Sequence, residues 1–162
     1  MNRMTLLLPA VAIVLAGLLS SVFIVDERTK ALVLQFGQIT SVKDEPGLYF
    51  KIPLIQEVVR YDDRILGRDV EPLEVTPSDD RRLVVDAFAR YKINDVVRFR
   101  QAVGAGGIEF AENRIDTILR AQVREVLGSV DSSAILSDQR AALALKIRDA
   151  AKIEAAALGV DI

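Results

Sequence analysis

Residues 4–25 (MTLLLPAVAIVLAGLLSSVFIV) contain no charged side chain and run straight into Asp26-Glu27-Arg28. As a helix rising ~1.5 Å per residue, this stretch reaches roughly 33 Å, about the thickness of a bilayer's hydrocarbon core. The expectation is a single transmembrane helix over residues 4–25. No later uncharged stretch is long enough to cross, so residues 26–162 are expected to fold in water as a tethered domain. A cleavable signal peptide shares the basic Arg3, the apolar stretch and the small Ser20-Ser21. Its apolar region, however, is typically ~7–15 residues and closes on an Ala-x-Ala-like site. Here Leu18-Leu19 precede the serines and Val22-Phe23-Ile24-Val25 follow them, so the segment reads as a retained anchor. Pro9 lies near its start, where a missing amide donor costs least. Basic residues on both sides (Arg3 against Arg28, Lys30 and Lys43) leave the orientation open.

The charge balance excludes whole classes of function. Setting Arg3 aside, the remaining basic residues face 23 Asp and Glu with both signs interspersed, and the longest basic run is Arg81-Arg82. A nucleic-acid groove binder needs a basic face with interleaved aromatics, so no nucleic-acid partner is expected. The chain has neither cysteine nor histidine. That removes thiolate and imidazole metal sites, Cys–His and Ser–His nucleophile pairs and the near-neutral histidine switch. No metal, cofactor or catalytic residue is expected.

The pattern of apolar residues gives an α+β domain. Residues 31–36 (ALVLQF) are β-rich up to Gly37, and Glu45-Pro46-Gly47 makes a turn before residues 48–52 (LYFKI), a hairpin-like start. Residues 57–61 resume strand character after Pro53. Residues 76–80 (TPSDD) form a turn cluster before a long strand over residues 82–93, in which Leu83, Val85, Ala87, Ala89, Tyr91 and Ile93 share one face. From Asn94 the period becomes helical. Asn94 or Asp95 caps a short helix through Ala102, and the glycines of residues 104–107 break it. Ile115, Ile118, Leu119, Val123, Val126 and Leu127 then recur at helical spacing up to Gly128. A last helix starts at Asp131 or Ser137, carries Leu143, Ile147, Ala151 and Leu158 near one stripe, and stops at Gly159. Residues 159–162 (GVDI) look like the opening of a strand, so the chain reads as an incomplete domain.

Candidate chemistry is sparse. Asp62-Asp63 and Asp79-Asp80 pair carboxylates in sequence, but adjacent side chains point apart in extended chain, and the second pair falls in a turn. Residues 104–107 precede a helix yet lack the Gly-Lys-Ser/Thr end of a phosphate loop, so they read as a connector. Arg98, Arg100, Arg114, Arg120 and Arg124 form either a basic stripe for headgroups or, with Glu109, Glu112, Asp116 and Glu125 among them, solvated helix faces. The most telling cluster is apolar: Leu48, Tyr49, Phe50, Ile52 and Leu54 crowd a short stretch near the anchor. They serve either as a membrane-interface patch, with Tyr49 and Phe50 at headgroup depth, or as filling for a small β core.

Residues 25–37 (VDERTKALVLQFG), 45–54 (EPGLYFKIPL) and 62–65 (DDRI) resemble, in order, the start of the stomatin/prohibitin/flotillin (SPFH, or band 7) family. Residues 83–86 (LVVD), 136–140 (LSDQR) and 158–162 (LGVDI) extend the resemblance over nearly the whole chain. It implies a transmembrane helix over 4–25 followed by an SPFH domain over 26–162, without the coiled-coil region that follows in the family. The finer resemblance is to the bacterial branch that modulates a membrane-bound, ATP-dependent protease. It implies a non-enzymatic scaffold in the inner membrane, single-pass, with its folded part in the periplasm. Its implied partners are lipids, the FtsH protease and an HflK-like sister subunit in a hetero-oligomeric cage that controls substrate access. A microdomain organiser with no protease link, and a hydrolase built on a Ser–Lys pair or paired carboxylates, are the other classes left open.

Overall fold

The computed structural model describes residues 17–162, which divide into two compact units: one ends at Asp63 and the other spans Arg64–Ile162. The described residues of the first unit are almost wholly β. After a helical stretch at residues 17–20, β1 (Val22–Val25) pairs antiparallel with β4 (Gly47–Phe50). A second sheet has the order β3-β2-β5, from β2 (Thr29–Gln35), β3 (Gln38–Lys43) and β5 (Gln56–Asp62), all antiparallel. Phe23 and Val25 of β1 pack on Ala31 and Val33 of β2, with Tyr49 and Val58 closing the cluster.

Two expectations are corrected here. Val22–Val25 do not belong to a membrane helix. Phe23 and Val25 alternate inward while Val22 and Ile24 point out, the period-two burial of a strand paired on β4. The remainder of the expected span lies mainly in residues 1–16, outside the described residues. Among the described residues no helix is long and apolar enough to cross a membrane. The β start is also wired differently. Residues 31–36 pair not with residues 48–52 but with β3, across a two-residue loop at Phe36-Gly37, and with β5.

The second unit lays helices on a three-stranded antiparallel sheet ordered β6-β7-β8, from β6 (Leu66–Val75), β7 (Leu83–Ile93) and β8 (Val160–Asp161). β7 buries the face expected for it, most deeply at Ala89, Tyr91 and Ile93. β6 went unrecognised in the sequence because Gly67 and Pro72 interrupt its pattern. The register slips between Val70 and Leu73, so Glu71 and Pro72 bulge outward while Val70, Leu73 and Val75 all stay inside. A proline without a donor is tolerated at such a bulge.

The helices are α1 (Val96–Val103), α2 (Gly107–Gly128), the single turn α3 (Ser132–Ile135) and α4 (Arg140–Ala156). Asp95 caps α1, its carboxylate accepting from the amides of Val97 and Arg98. Val123 and Leu127 of α2, Ile135 of α3 and Leu143 of α4 close over Leu73 and Val75 of β6. Gly159 turns the chain from α4 into β8 with φ +73°, and its carbonyl accepts from the amides of Asn94 and Asp95. A Cβ at that position would lie 2.5 Å from the Asp95 carbonyl oxygen, so only glycine fits.

Candidate membrane-facing site

The β1–β4 pair has two unlike faces, set by its register. Phe23 sits opposite Tyr49, and these two turn inward with ring centroids 5.9 Å apart. Val22 sits opposite Phe50 and Ile24 opposite Leu48, and these four turn outward. Phe50 is 72% exposed, Ile24 67% and Leu48 57%, so the outward face of this small sheet is a cross-strand apolar quartet. Exposed single hydrophobes are ordinary, but a contiguous cluster of large ones marks an interaction surface.

The quartet lies where the amino-terminal segment leads out. Ser21 staples that exit to the end of β4: its hydroxyl donates to the Lys51 carbonyl at 2.6 Å, and its own carbonyl accepts from the Lys51 amide at 2.7 Å. Leu18 and Leu19, just before it, are exposed, as are Ile52 and Leu54 just after β4. Of the five residues expected at a membrane interface, Leu48, Phe50, Ile52 and Leu54 therefore face out. Tyr49 is half-buried, as alternation along a strand requires. Its ring lies under the Lys43 ammonium, 5.1 Å from the centroid, and its hydroxyl donates to the Glu45 carbonyl at 2.9 Å. Sequence reasoning missed Val22 and Ile24, which it had placed inside the membrane span. The alternating burial that reveals them is visible only once β4 is known to be their partner.

The other candidates hold the fold together. Asp63 pairs with Lys30 at 2.9 Å. Asp79 accepts from the Ser132 amide at 3.3 Å and its hydroxyl at 2.5 Å, while Ser78 hydrogen-bonds Asp131, so the β6–β7 turn is tied to the start of α3. The Ser132 hydroxyl, with its amide and Arg81 in support, holds the Asp79 carboxyl below its ordinary value. Asp80 takes a positive φ of +57° in the same turn. Residues 104–107 form a short turn entering α2, where Arg100 donates to the Gly104 carbonyl at 2.6 Å. Arg120 pairs with Glu71 at 3.0 Å and Arg98 lies 3.9 Å from Asp95, so these two arginines serve local ion pairs. A further network, unforeseen in the sequence, clamps α2 to the sheet. Arg68 bonds Asp116 at 2.9 Å and Glu112 at 3.1 Å, and Glu112 also accepts from the buried Tyr91 hydroxyl at 2.9 Å. Burial first, then the Glu112 carboxylate, push the Tyr91 phenol above its ordinary value. Among the described residues no cluster of three or more acidic side chains could hold a metal ion.

A two-sheet β unit with an outward apolar face is thus followed along the chain by helices laid on a third sheet. The chain belongs to the SPFH domain / Band 7 family, whose model matches residues 23–162. Within that family it is similar to curated proteins named HflC. The Escherichia coli (strain K12) protein, named a modulator of FtsH protease, is 34% identical over 146 residues, covering 86% of this chain and 44% of the relative. HflC of Haemophilus influenzae is 30% identical over 165 residues, covering 96% of this chain and 56% of the relative. HflC of Vibrio cholerae is 28% identical over 141 residues. The chain thus spans about half the length of the curated relatives it matches.

Proposed function

We propose that this chain is a membrane-anchored scaffold subunit that modulates an FtsH-type protease. In this reading residues 4–21 cross the bacterial inner membrane once. Shortening the span by the four residues of β1 leaves roughly 27 Å of helix at ~1.5 Å per residue, still enough for one crossing. The folded part stands in the periplasm and the Val22, Ile24, Leu48 and Phe50 face rests in the lipid interface, with Ile52 and Leu54 beside it. Assembly with an HflK-like sister subunit into a cage then limits which membrane substrates reach the protease. The work is steric and needs no catalytic residue. A closed ring places many individually weak contacts in parallel, which suits the mixed-charge surface of this chain.

The observation that carries the reading is the match to proteins named as FtsH modulators over most of the chain, together with an apolar face at the exit of the uncharged segment. The test is a gentle-detergent pull-down of the tagged protein from its native membrane with mass spectrometry. Co-recovery of FtsH and an HflK-like protein in one large complex is the expected result. Recovery of lipid-organising proteins or self-oligomers alone would replace it with a microdomain organiser that has no protease link.

A further inference from the structure

The helices of the second unit pack on one side of the β6–β7 pair, over Leu73 and Val75. Its other side follows from the strand period: residues of β7 that alternate with the buried Ala89, Tyr91 and Ile93 point away from the helices. Val84 is 68% exposed and Phe88 75%, with the exposed Asp86 between them. Across the register Glu74 sits opposite Val84 and Asp69 opposite Phe88, both exposed. Two large apolar side chains thus stand among carboxylates, and no ion pair among the described residues engages Asp69, Glu74 or Asp86. Apolar groups gathered on an open face mark an interaction surface, and the charges framing them set what it accepts.

The opposite layer of the same unit carries the complement. Along α2 the exposed Phe110, Arg114, Thr117, Ala121 and Arg124 recur at helical spacing, while Ile115, Ile118 and Val123 turn into the core. This outward stripe has an aromatic ring at one end and small side chains at its middle. Its two arginines stand outside every ion pair of the described residues. Spacing matches as well as sign. Asp69 and Glu74 oppose residues four positions apart on β7, about 13 Å at ~3.3 Å per residue. Arg114 and Arg124 are ten positions apart, about 15 Å at ~1.5 Å per residue. A helix laid along the strands brings both arginines to carboxylates at once, with Thr117 and Ala121 over the middle of the face. When that helix runs parallel to β7, Glu125 falls beside Arg90, which continues the face beyond Phe88.

We infer that the outer face of the β6–β7 sheet docks on the α2 stripe of a second copy of this chain, Asp69 to Arg124 and Glu74 to Arg114. The two faces belong to opposite layers, so one copy cannot satisfy itself. The contact is heterologous: each copy uses its sheet on one neighbour and its helix on the next, the type that closes into rings. The inference rests on the assembly in the reading above and adds a surface by which copies stack. Exposed ion pairs contribute little each, so here they set register, while Phe88 and Val84 supply apolar burial.

The absence of cysteine makes the contact addressable. Two full-length chains with different tags, one Asp86→Cys and one Ala121→Cys, are expressed together in the native membrane and oxidised with copper phenanthroline. A disulfide between positions 86 and 121 is expected several-fold above the 86–86 and 121–121 products. Equal yields of the three, or an 86–86 excess, overturn the stacking. Links to a different polypeptide alone overturn the copy-to-copy contact and leave the assembly reading standing. No link at either position overturns the contact, and if the pull-down also yields no large complex the assembly reading falls with it. Charge reversal tests the register. Arg124→Glu in the Ala121→Cys chain should cut the 86–121 yield several-fold, and Asp69→Arg in the Asp86→Cys chain should restore it. Both positions are exposed, so the unfolding midpoint of each variant should stay at that of its parent. A reversal that leaves the yield unchanged, or a double reversal that fails to restore it, overturns the proposal.

Discussion

The two units group their apolar side chains differently. In the second, the large residues of β6, α2, α3 and α4 converge on one core, and polar ties at its margins set how α2 and the β6–β7 turn are held. In the first, the β1–β4 pair buries Phe23 and Val25 and leaves Val22, Ile24, Leu48 and Phe50 outside, with Phe36 and Leu54 exposed at the turns. A fold that needed its apolar residues only for stability would place polar ones at the outward positions of a two-stranded sheet. The difference is one of placement: the second unit also exposes Val84, Phe88 and Ile153, whereas the first gathers Val22, Ile24, Leu48 and Phe50 into one cross-strand quartet.

The sharpest way to break this contrast is at Gly159. Gly159→Ala drives a Cβ to within 2.5 Å of the Asp95 carbonyl and holds alanine at positive φ, so a loss of at least ~2 kcal/mol is expected in chemical denaturation of the second unit. Phe99→Ala, which empties a fully buried position in α1, is expected to cost about 3–5 kcal/mol by the same measurement, and the two set the upper end of the scale. Glu112→Ala comes next. It strips the buried Tyr91 hydroxyl of its acceptor and leaves Arg68 to Asp116 alone, for a loss of about 1–3 kcal/mol. Combining it with Tyr91→Phe should cost less than the sum of the single changes, because the unpaired hydroxyl is then gone.

pH probes the same ties from both ends. Asp79 and Asp161 hold lowered carboxyl values through Ser132 and Lys152 respectively, so their stabilisation is present above the ordinary value of 3.8. It is lost as pH falls below that value through the lowered ones. Tyr91 is raised, so its neutral-state stabilisation holds below 10.0 and is lost as pH climbs through the higher folded value. Unfolding midpoints of the second unit should therefore drop at both extremes and stay level between them. The smallest effect belongs to the first unit. Leu48→Ser and Phe50→Ser should move stability by no more than about 0.5 kcal/mol, yet weaken association of the β1–β4 face with vesicles. If either serine unfolds the unit instead, the outward quartet is structural and the contrast fails.

Much of the second unit was legible in the residue pattern. The face of β7, the Asp95 cap, the Gly128 end of α2 and the Gly159 stop all follow from local periodicity and from residues with one strong backbone preference. β6 was not, because Pro72 reads as a breaker until the bulge opposite Asp86 shows how it is accommodated. β3 was hidden by its polar composition, and its existence depends on the I′ turn at Phe36-Gly37.

The uncharged entry segment, the order of β section then helices, the lack of cysteine and histidine and the apolar cluster after Glu45-Pro46-Gly47 are all readable from the residues alone. These depend on composition and on neighbours within a few positions. Long-range pairing makes Val22–Val25 a strand, turns Tyr49 inward and Phe50 out, and brings Phe36 beside Leu54. The reason is that a strand has no hydrogen-bond partner within itself. Which face of β1 turns outward is fixed by pairing with Gly47–Phe50, more than twenty positions further along the chain, and no local pattern in residues 22–25 contains that information.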